Sequence, residues 1–151
     1  MLIRLDDLRG SEIADLLRAH LDQMAEHSPP ESRHALDLEG LRAPDVTFWT
    51  AWRKGTLLGC GALKELDAAH GEIKSMHTAR AERGQGVAAS ILQTILVEAR
   101  KRAYRRLSLE TGSMNAFRPA HQLYMKHGFE ACPPFGDYIE DRNSIFMTLA
   151  L

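Results

Sequence analysis

The stretch Arg83-Gly84-Gln85-Gly86-Val87-Ala88 has the residue types of an anion cradle. Its two glycines let the backbone turn where a side chain would forbid it, and its arginine supplies charge. A helix starting just after them would aim its first free N–H groups, and the positive end of its dipole, at an anion beside the loop. Read from Gly84, the spacing is also a loose dinucleotide fingerprint, Gly-x-Gly-x-x-Ala. That fingerprint needs a buried apolar strand directly before its first glycine, and the residues here are TARAER. Glu110 sits roughly where a ribose-binding acid would, but the charged lead-in outweighs it. No Gly-Lys-Ser/Thr follows, so a Walker A loop is excluded. The loop is either a phosphate cradle of another kind or a plain strand-to-helix turn.

Other residues suited to chemistry lie on either side of it. Glu72, Lys74, Met76 and Thr78 alternate along a strand-like stretch, which places them on one face. A carboxylate partly desolvated there has its proton affinity raised towards the working range of a base. His77 and Glu110 are the fallback bases, and Glu72 reads equally well as an ion-pair partner of Lys74. The seven histidines, His27 and His34 among them, form no His-Glu-x-x-His and no tight cluster with cysteine, so no metal is expected. Cys60, between two glycines, reads as a small buried hydrophobe rather than a nucleophile.

The elements that must position these residues follow from patterning. MLIRL is a strand, and Ser11 is the expected N-cap of a helix with Ile13, Leu16, Leu17, Leu21 and Met24 at helical spacing. HSPPES breaks that helix, and HALDLEGLR supplies a shorter one. VTFWTAWR and TLLGCGALKEL form a hairpin about Lys54-Gly55, and EIKSMHT is the next strand. Val87, Ile91, Ile95 and Ala99, flanked by Leu92 and Leu96, mark the clearest amphipathic helix. RRLSLET is a strand, AFRPAHQLYMKHG a helix with Gly128 as its stop, and FEAC and SIFMTLAL close the chain as strands. The trailing strands and the hairpin exclude a regular βαβ alternation. The expectation is one α/β (α+β) domain over residues 1–151 with a mixed sheet.

Arg83 to Ala88 is similar to the Arg/Gln-x-x-Gly-x-Gly/Ala signature of the GNAT superfamily of acyl-CoA-dependent N-acyltransferases. Downstream, NAFRPAHQLYMKHGF resembles the family's Asn…Ala…Leu-Tyr-x-x-x-Gly-Phe segment, and the element order matches over nearly the whole chain. SPPES, HAL, GCGALKELD, GEIKSM and LSLETGSM further resemble a YsnE-like group of bacterial acetyltransferases. The resemblance implies a mostly antiparallel sheet of six to seven strands, flanked by about four helices and splayed between the fourth and fifth strands. Acetyl-CoA would lie in that gap, its pantetheine arm along the backbone of Met76, His77 and Thr78 and its pyrophosphate on Arg83, Gly84, Gln85, Gly86, Val87 and Ala88. Asn115 would contact the pantetheine side, and Tyr124 would stand near the sulfur as proton donor. Glu72 lies six residues before Thr78, the spacing of a catalytic glutamate in some members. A backbone N–H near His77 or Thr78 would hold the oxyanion. Thr78, Arg80 and Ala103 stand where the family often has Val, Pro and Gly.

The implied activity is direct acetyl transfer from acetyl-CoA to the amine of a small molecule, peptide or protein. A GNAT-like module that binds acyl-CoA without turnover is the alternative. HSPPESRH and PPFGDYIEDRN are the loops expected to line the acceptor pocket. Family members are often dimers. A net charge of −1 gives no footprint for nucleic acid, and the basic run EARKRAYRR reads as a solvated helix end. No signal-peptide core or membrane-length apolar run is present, and two isolated cysteines suit a reducing, cytoplasmic setting.

Overall fold

The computed structural model describes residues 1–33 and 36–151. His34 and Ala35, with the part of the expected helix that falls on them, lie outside the described residues. Seven strands form one sheet: β1 (Leu2–Leu5), β2 (Val46–Arg53), β3 (Thr56–Asp67), β4 (His70–Thr78), β5 (Arg106–Gly112), β6 (Glu130–Ala131) and β7 (Ser144–Ala150). Their spatial order is β1-β2-β3-β4-β5-β7-β6. All pairs are antiparallel except β4 and β5. The crossover between those two carries helix α3 (Val87–Lys101). Lys54 and Gly55 both have positive φ, 49° and 79°, which makes the β2–β3 connection a two-residue turn whose twist matches its strands.

The β4–β5 ladder is short. It runs from His70 opposite Arg106 to Ile73 opposite Leu109 and stops there. Beyond that point the edge of β4 facing β5 has no strand partner, so the two strands part. A second irregularity lies on the other edge of β4. Cys60 pairs with His77 and Ala62 with Lys74, so Gly61 opposes both Ser75 and Met76. This is a β-bulge, and Ser75 holds it with a φ of 54°.

The bulge corrects the alternation expected from sequence. Glu72 and Lys74 share a face, but Met76 packs with Ile73 in the cluster beneath α3, and His77 turns to the opposite side. An extra residue in the strand shifts the period of two, which no local pattern announces.

Helices cover both faces. On one, α3 buries Val87, Ile91, Leu92, Ile95, Leu96 and Ala99, the stripe expected from its spacing. Full burial of each larger aliphatic side chain is worth about 1.5–3 kcal/mol. Gly61 permits that approach, since a Cβ there would lie 2.6 Å from Ile91 and from the Met76 sulfur. Helix α4 (Arg118–Lys126), preceded by a 3-10 turn at Asn115–Phe117, packs Tyr124 into the same cluster. It starts two residues later than its apolar pattern suggests, at the Arg118-Pro119 step where proline suits the first turn. It ends in a Schellman motif, with Phe129 N–H on the Tyr124 carbonyl, Gly128 N–H on that of Met125 and Gly128 at φ 94°.

On the other face, α1 (Ser11–His27) and the one-turn α2 (Leu38–Leu41) cover a second cluster that contains Cys60. Gly10, not Ser11, occupies the N-cap of α1, and no side chain caps it. The PPES stretch makes a 3-10 turn at Pro30–Ser32 after α1 ends.

Candidate active site

The parting of β4 and β5 opens a cleft of about 620 Å³. Its floor is the unpaired end of both strands. Helix α1 contributes His20, Gln23 and Met24, and α4 contributes Leu123 and Tyr124.

One end of the cleft is the glycine loop. Arg83, Gly84, Gly86 and Ala88 line it. Gly84 and Gly86 have φ of 77° and 82°, and Gly86 is the N-cap of α3. A Cβ built on either would meet no atom within 4 Å, so the backbone conformation requires glycine while the space beside it stays open. The first amides of α3 have no carbonyl one turn back to bond. Free amides, a dipole and open space suit the pyrophosphate of a coenzyme. The Arg83 guanidinium donates to Gln23 Oε1 at 2.9 Å, which ties the loop to α1.

The side chains of the other residues expected to touch the coenzyme point away from the cleft or stand beside it, and Gln85 and Val87 offer the loop only their backbone amides. Val87 is buried beneath it in the α3 core. Gln85 turns away and accepts from Arg53 at 3.1 Å. Asn115 opens the 3-10 turn, while its neighbours Ala116 and Phe117 line the cleft.

Along the middle, Met76, His77 and Thr78 line the β4 side. His77 Nδ1 lies 3.2 Å from Nδ1 of His20 on α1, so one imidazole donates to the other. Burial lowers His20 to about 4, and burial with neighbouring His20 and Arg83 lowers His77 to about 3. Both are neutral at neutral pH, and His77 is a poor proton acceptor.

Across from them stands Tyr124, 5% exposed, its ring edge-on to Phe129 with centroids 5.6 Å apart. Among the described residues its hydroxyl has no hydrogen-bond partner, and Tyr124 lines the cleft. Burial pushes the phenol well above its ordinary value, so it remains protonated.

The other end holds the carboxylates. Glu72, 3% exposed, accepts from the Tyr138 hydroxyl at 2.5 Å and from Lys74 Nζ at 3.2 Å, both on Oε2. Lys74 also donates to the Tyr138 oxygen at 3.1 Å, closing a triangle. Glu110 accepts from Ser144 Oγ at 3.3 Å. Burial, the dominant cause, raises its carboxyl to about 7.

Tyr138 comes from the PPFGDYIEDRN loop, and that loop is tied to the PPES turn. Ser32 Oγ donates to Asp141 Oδ2 at 2.5 Å and accepts from Asn143 Nδ2 at 3.3 Å. The two segments expected to bound the acceptor pocket therefore bond to each other. Sequence reasoning did not single out Lys74, Tyr138 or His20 as site residues. Tyr138 lies in a loop expected to line the acceptor pocket, and the i, i+4 spacing of His20 and Met24 on α1 is the available signal for the helix face.

Among the described residues no three His, Cys, Asp or Glu side chains gather as a metal site. Among them too, no helix is long and apolar enough to cross a membrane. Cys60 is buried, and burial pushes its thiol up to about 12.

A splayed sheet with a glycine loop at the mouth and a buried tyrosine inside describes a coenzyme A-dependent acyltransferase. The chain belongs to the Acetyltransferase (GNAT) family, whose model matches residues 12–129. It is 57% identical over 151 residues, all of both chains, to the "Uncharacterized N-acetyltransferase YsnE" of Bacillus subtilis (strain 168). It is 50% identical to the "Uncharacterized N-acetyltransferase YedL" of Escherichia coli (strain K12), covering 99% of this chain and 94% of that one. The fold is shared with a GNAT family acetyltransferase from Elizabethkingia anophelis solved with acetyl-CoA bound, at a TM-score of 0.69 and 20% identity over 99% of this chain and 97% of that one.

Proposed function

We propose that this enzyme transfers the acetyl group of acetyl-CoA to a primary amine of a small molecule, directly and within a ternary complex in the cytoplasm. The observation that carries the reading is the single cleft joining the glycine loop, Tyr124 and the carboxylates. The unpaired edge of β4 takes the pantetheine arm as an added strand. Arg83, Gly84, Gly86 and Ala88 take the pyrophosphate, and a backbone N–H of β4 near His77 holds the oxyanion. Tyr124 donates its hydroxyl proton to the departing thiolate, for which a phenol kept neutral by burial is suited. Tyr138, from the 132–143 loop that is tied to the PPES turn, lines the acceptor end, and this enclosure favours a small amine over a folded protein surface. Both cysteines are free, as a reducing compartment requires.

Calorimetric titration with acetyl-CoA, with NAD(H) and NADP(H) as controls, tests the cradle. Micromolar binding of acetyl-CoA alone is the expected result. Tyr124→Phe then separates an enzyme from a module that only binds acyl-CoA. Turnover should fall about 10²- to 10³-fold with the acetyl-CoA Kd unchanged. Unaltered turnover would remove Tyr124 from the mechanism.

A further inference from the structure

Resting on the reading above, we infer that Glu110, rather than Glu72, takes the proton from the acceptor amine, and that Glu72 is a positioning residue. With Lys74 and Tyr138, Glu72 pins the 132–143 loop across the acceptor end of the cleft.

Three observations separate the two carboxylates. The first is their place relative to the split. Glu72 lies opposite Ser108, inside the paired part of the β4–β5 ladder, whereas Glu110 is the first residue of β5 beyond the last pair. The second is occupancy. Both hydrogen bonds to Glu72 converge on one oxygen, one from a buried ammonium and one from a half-buried phenol. Glu110 has a single, long bond from Ser144 among the described residues. The cation and the phenol hold the Glu72 side chain in place, whereas one weak bond holds Glu110.

The third is charge. Glu110 is raised to about 7, chiefly by burial and also by Glu72 and Asp141, against the lowering by Ser144 and Lys74. A base whose proton affinity lies near the working pH is the efficient one. Glu72 and Lys74 act on Glu110 in opposite directions, and burial is the largest cause.

The proton steps balance. Glu110 takes one proton from the incoming ammonium and later releases it to solvent. The freed nitrogen lone pair forms the C–N bond as the C–S bond breaks. The nitrogen's second proton passes to solvent, the thiolate gains one from Tyr124, and solvent returns one to Tyr124, so one proton is released per acetyl group transferred.

The experiment compares wild type, Glu110→Gln, Glu72→Gln and Tyr138→Phe. Acetyl-CoA affinity is measured by calorimetry, and CoA release is followed from pH 5 to 9 with tyramine, putrescine, lysine and kanamycin as acceptors. An infrared titration of the protonated-carboxyl band provides a readout that needs no acceptor. Wild-type kcat/KM should fall below about pH 7, and the infrared band should titrate there. Glu110→Gln should lose both the band and the acidic limb, with turnover down about 10²- to 10⁴-fold. Glu72→Gln should keep the limb but move it to lower pH, because it removes a charge that raises Glu110 and leaves Lys74 to lower it. Tyr138→Phe should raise KM more than it lowers kcat.

An acidic limb or infrared band that survives Glu110→Gln and vanishes in Glu72→Gln overturns the assignment while leaving acetyl transfer intact. Failure of acetyl-CoA to bind overturns the functional reading itself. Binding without turnover of any of the four amines overturns the catalytic reading and this assignment with it.

Discussion

Gly86 and Gly55 form a matched pair for testing the glycine loop. Both have strongly positive φ, 82° and 79°, and a Cβ on either would meet no atom within 4 Å. Replacing either with alanine therefore adds no steric clash inside the protein, only backbone strain. An L-residue in the left-handed region costs about 1–2 kcal/mol. The reduced freedom of the unfolded chain offsets about 0.4–1 kcal/mol of that. The net loss is roughly 1 kcal/mol at each site, or about 2–4 °C in Tm for a chain of this size.

The two positions differ in one respect. Gly86 lines the cleft at the start of α3, whereas Gly55, in the β2–β3 turn, does not line it. If the loop holds a pyrophosphate, the Cβ of Gly86→Ala enters the space that the phosphates use. We expect acetyl-CoA affinity to fall at least tenfold, about 1.4 kcal/mol. Gly55→Ala should leave it unchanged. Differential scanning calorimetry and acetyl-CoA titration on both variants decide the matter. Equal losses of Tm, with Kd within about twofold of wild type in both, would mean that the loop is a turn and not a cradle. A Tm loss at Gly86 far above that at Gly55 would refute the strain argument.

Two further outcomes concern stability. Ala103 ends α3 with a φ of 61° in a Schellman arrangement, its N–H on the Arg100 carbonyl and the Tyr104 N–H on that of Ala99. Ala103→Gly should stabilise the protein by about 0.5–1 kcal/mol, read from urea unfolding, and a destabilised variant would contradict that geometry. Glu110 has its folded-state proton affinity raised from 4.5 to about 7, so the folded protein holds the proton more tightly than the unfolded chain. That stabilisation is full below pH 4.5 and is lost as pH rises through 7. Glu110→Gln should therefore unfold at higher temperature than wild type at pH 8 and differ little at pH 4. A Tm difference that does not grow with pH would place Glu110 in a solvated setting.

The legible parts of this protein were those set by short-range chemistry. The α3 stripe was readable because six apolar residues recur at helical spacing, and burial follows from the pattern alone. Lys54-Gly55 and Gly128 announced a turn and a helix end because those backbone conformations favour their residue types. The cap of α1 and the start of α4 were misplaced by one or two residues, where neighbouring side chains are nearly interchangeable. The glycine loop stood out in the same way as the turns, since two positive-φ positions before a helix leave a trace in composition.

The cleft was a different matter. Its opening depends on a parallel ladder that stops after Ile73 and Leu109, and nothing in either strand's own sequence marks that point. The face on which each β4 side chain lies depends on a bulge opposite Gly61. Glu72 and Glu110 are the same residue type on adjacent strands. Only tertiary structure gives one of them a buried lysine and a tyrosine from 66 residues away, and leaves the other at the split with one weak bond. The sequence by itself determined the elements, the family resemblance and the position of the glycine loop, because each is written in local spacing. The three-dimensional fold decided the surroundings of each carboxylate, on which its chemistry depends more than on what precedes it in the chain.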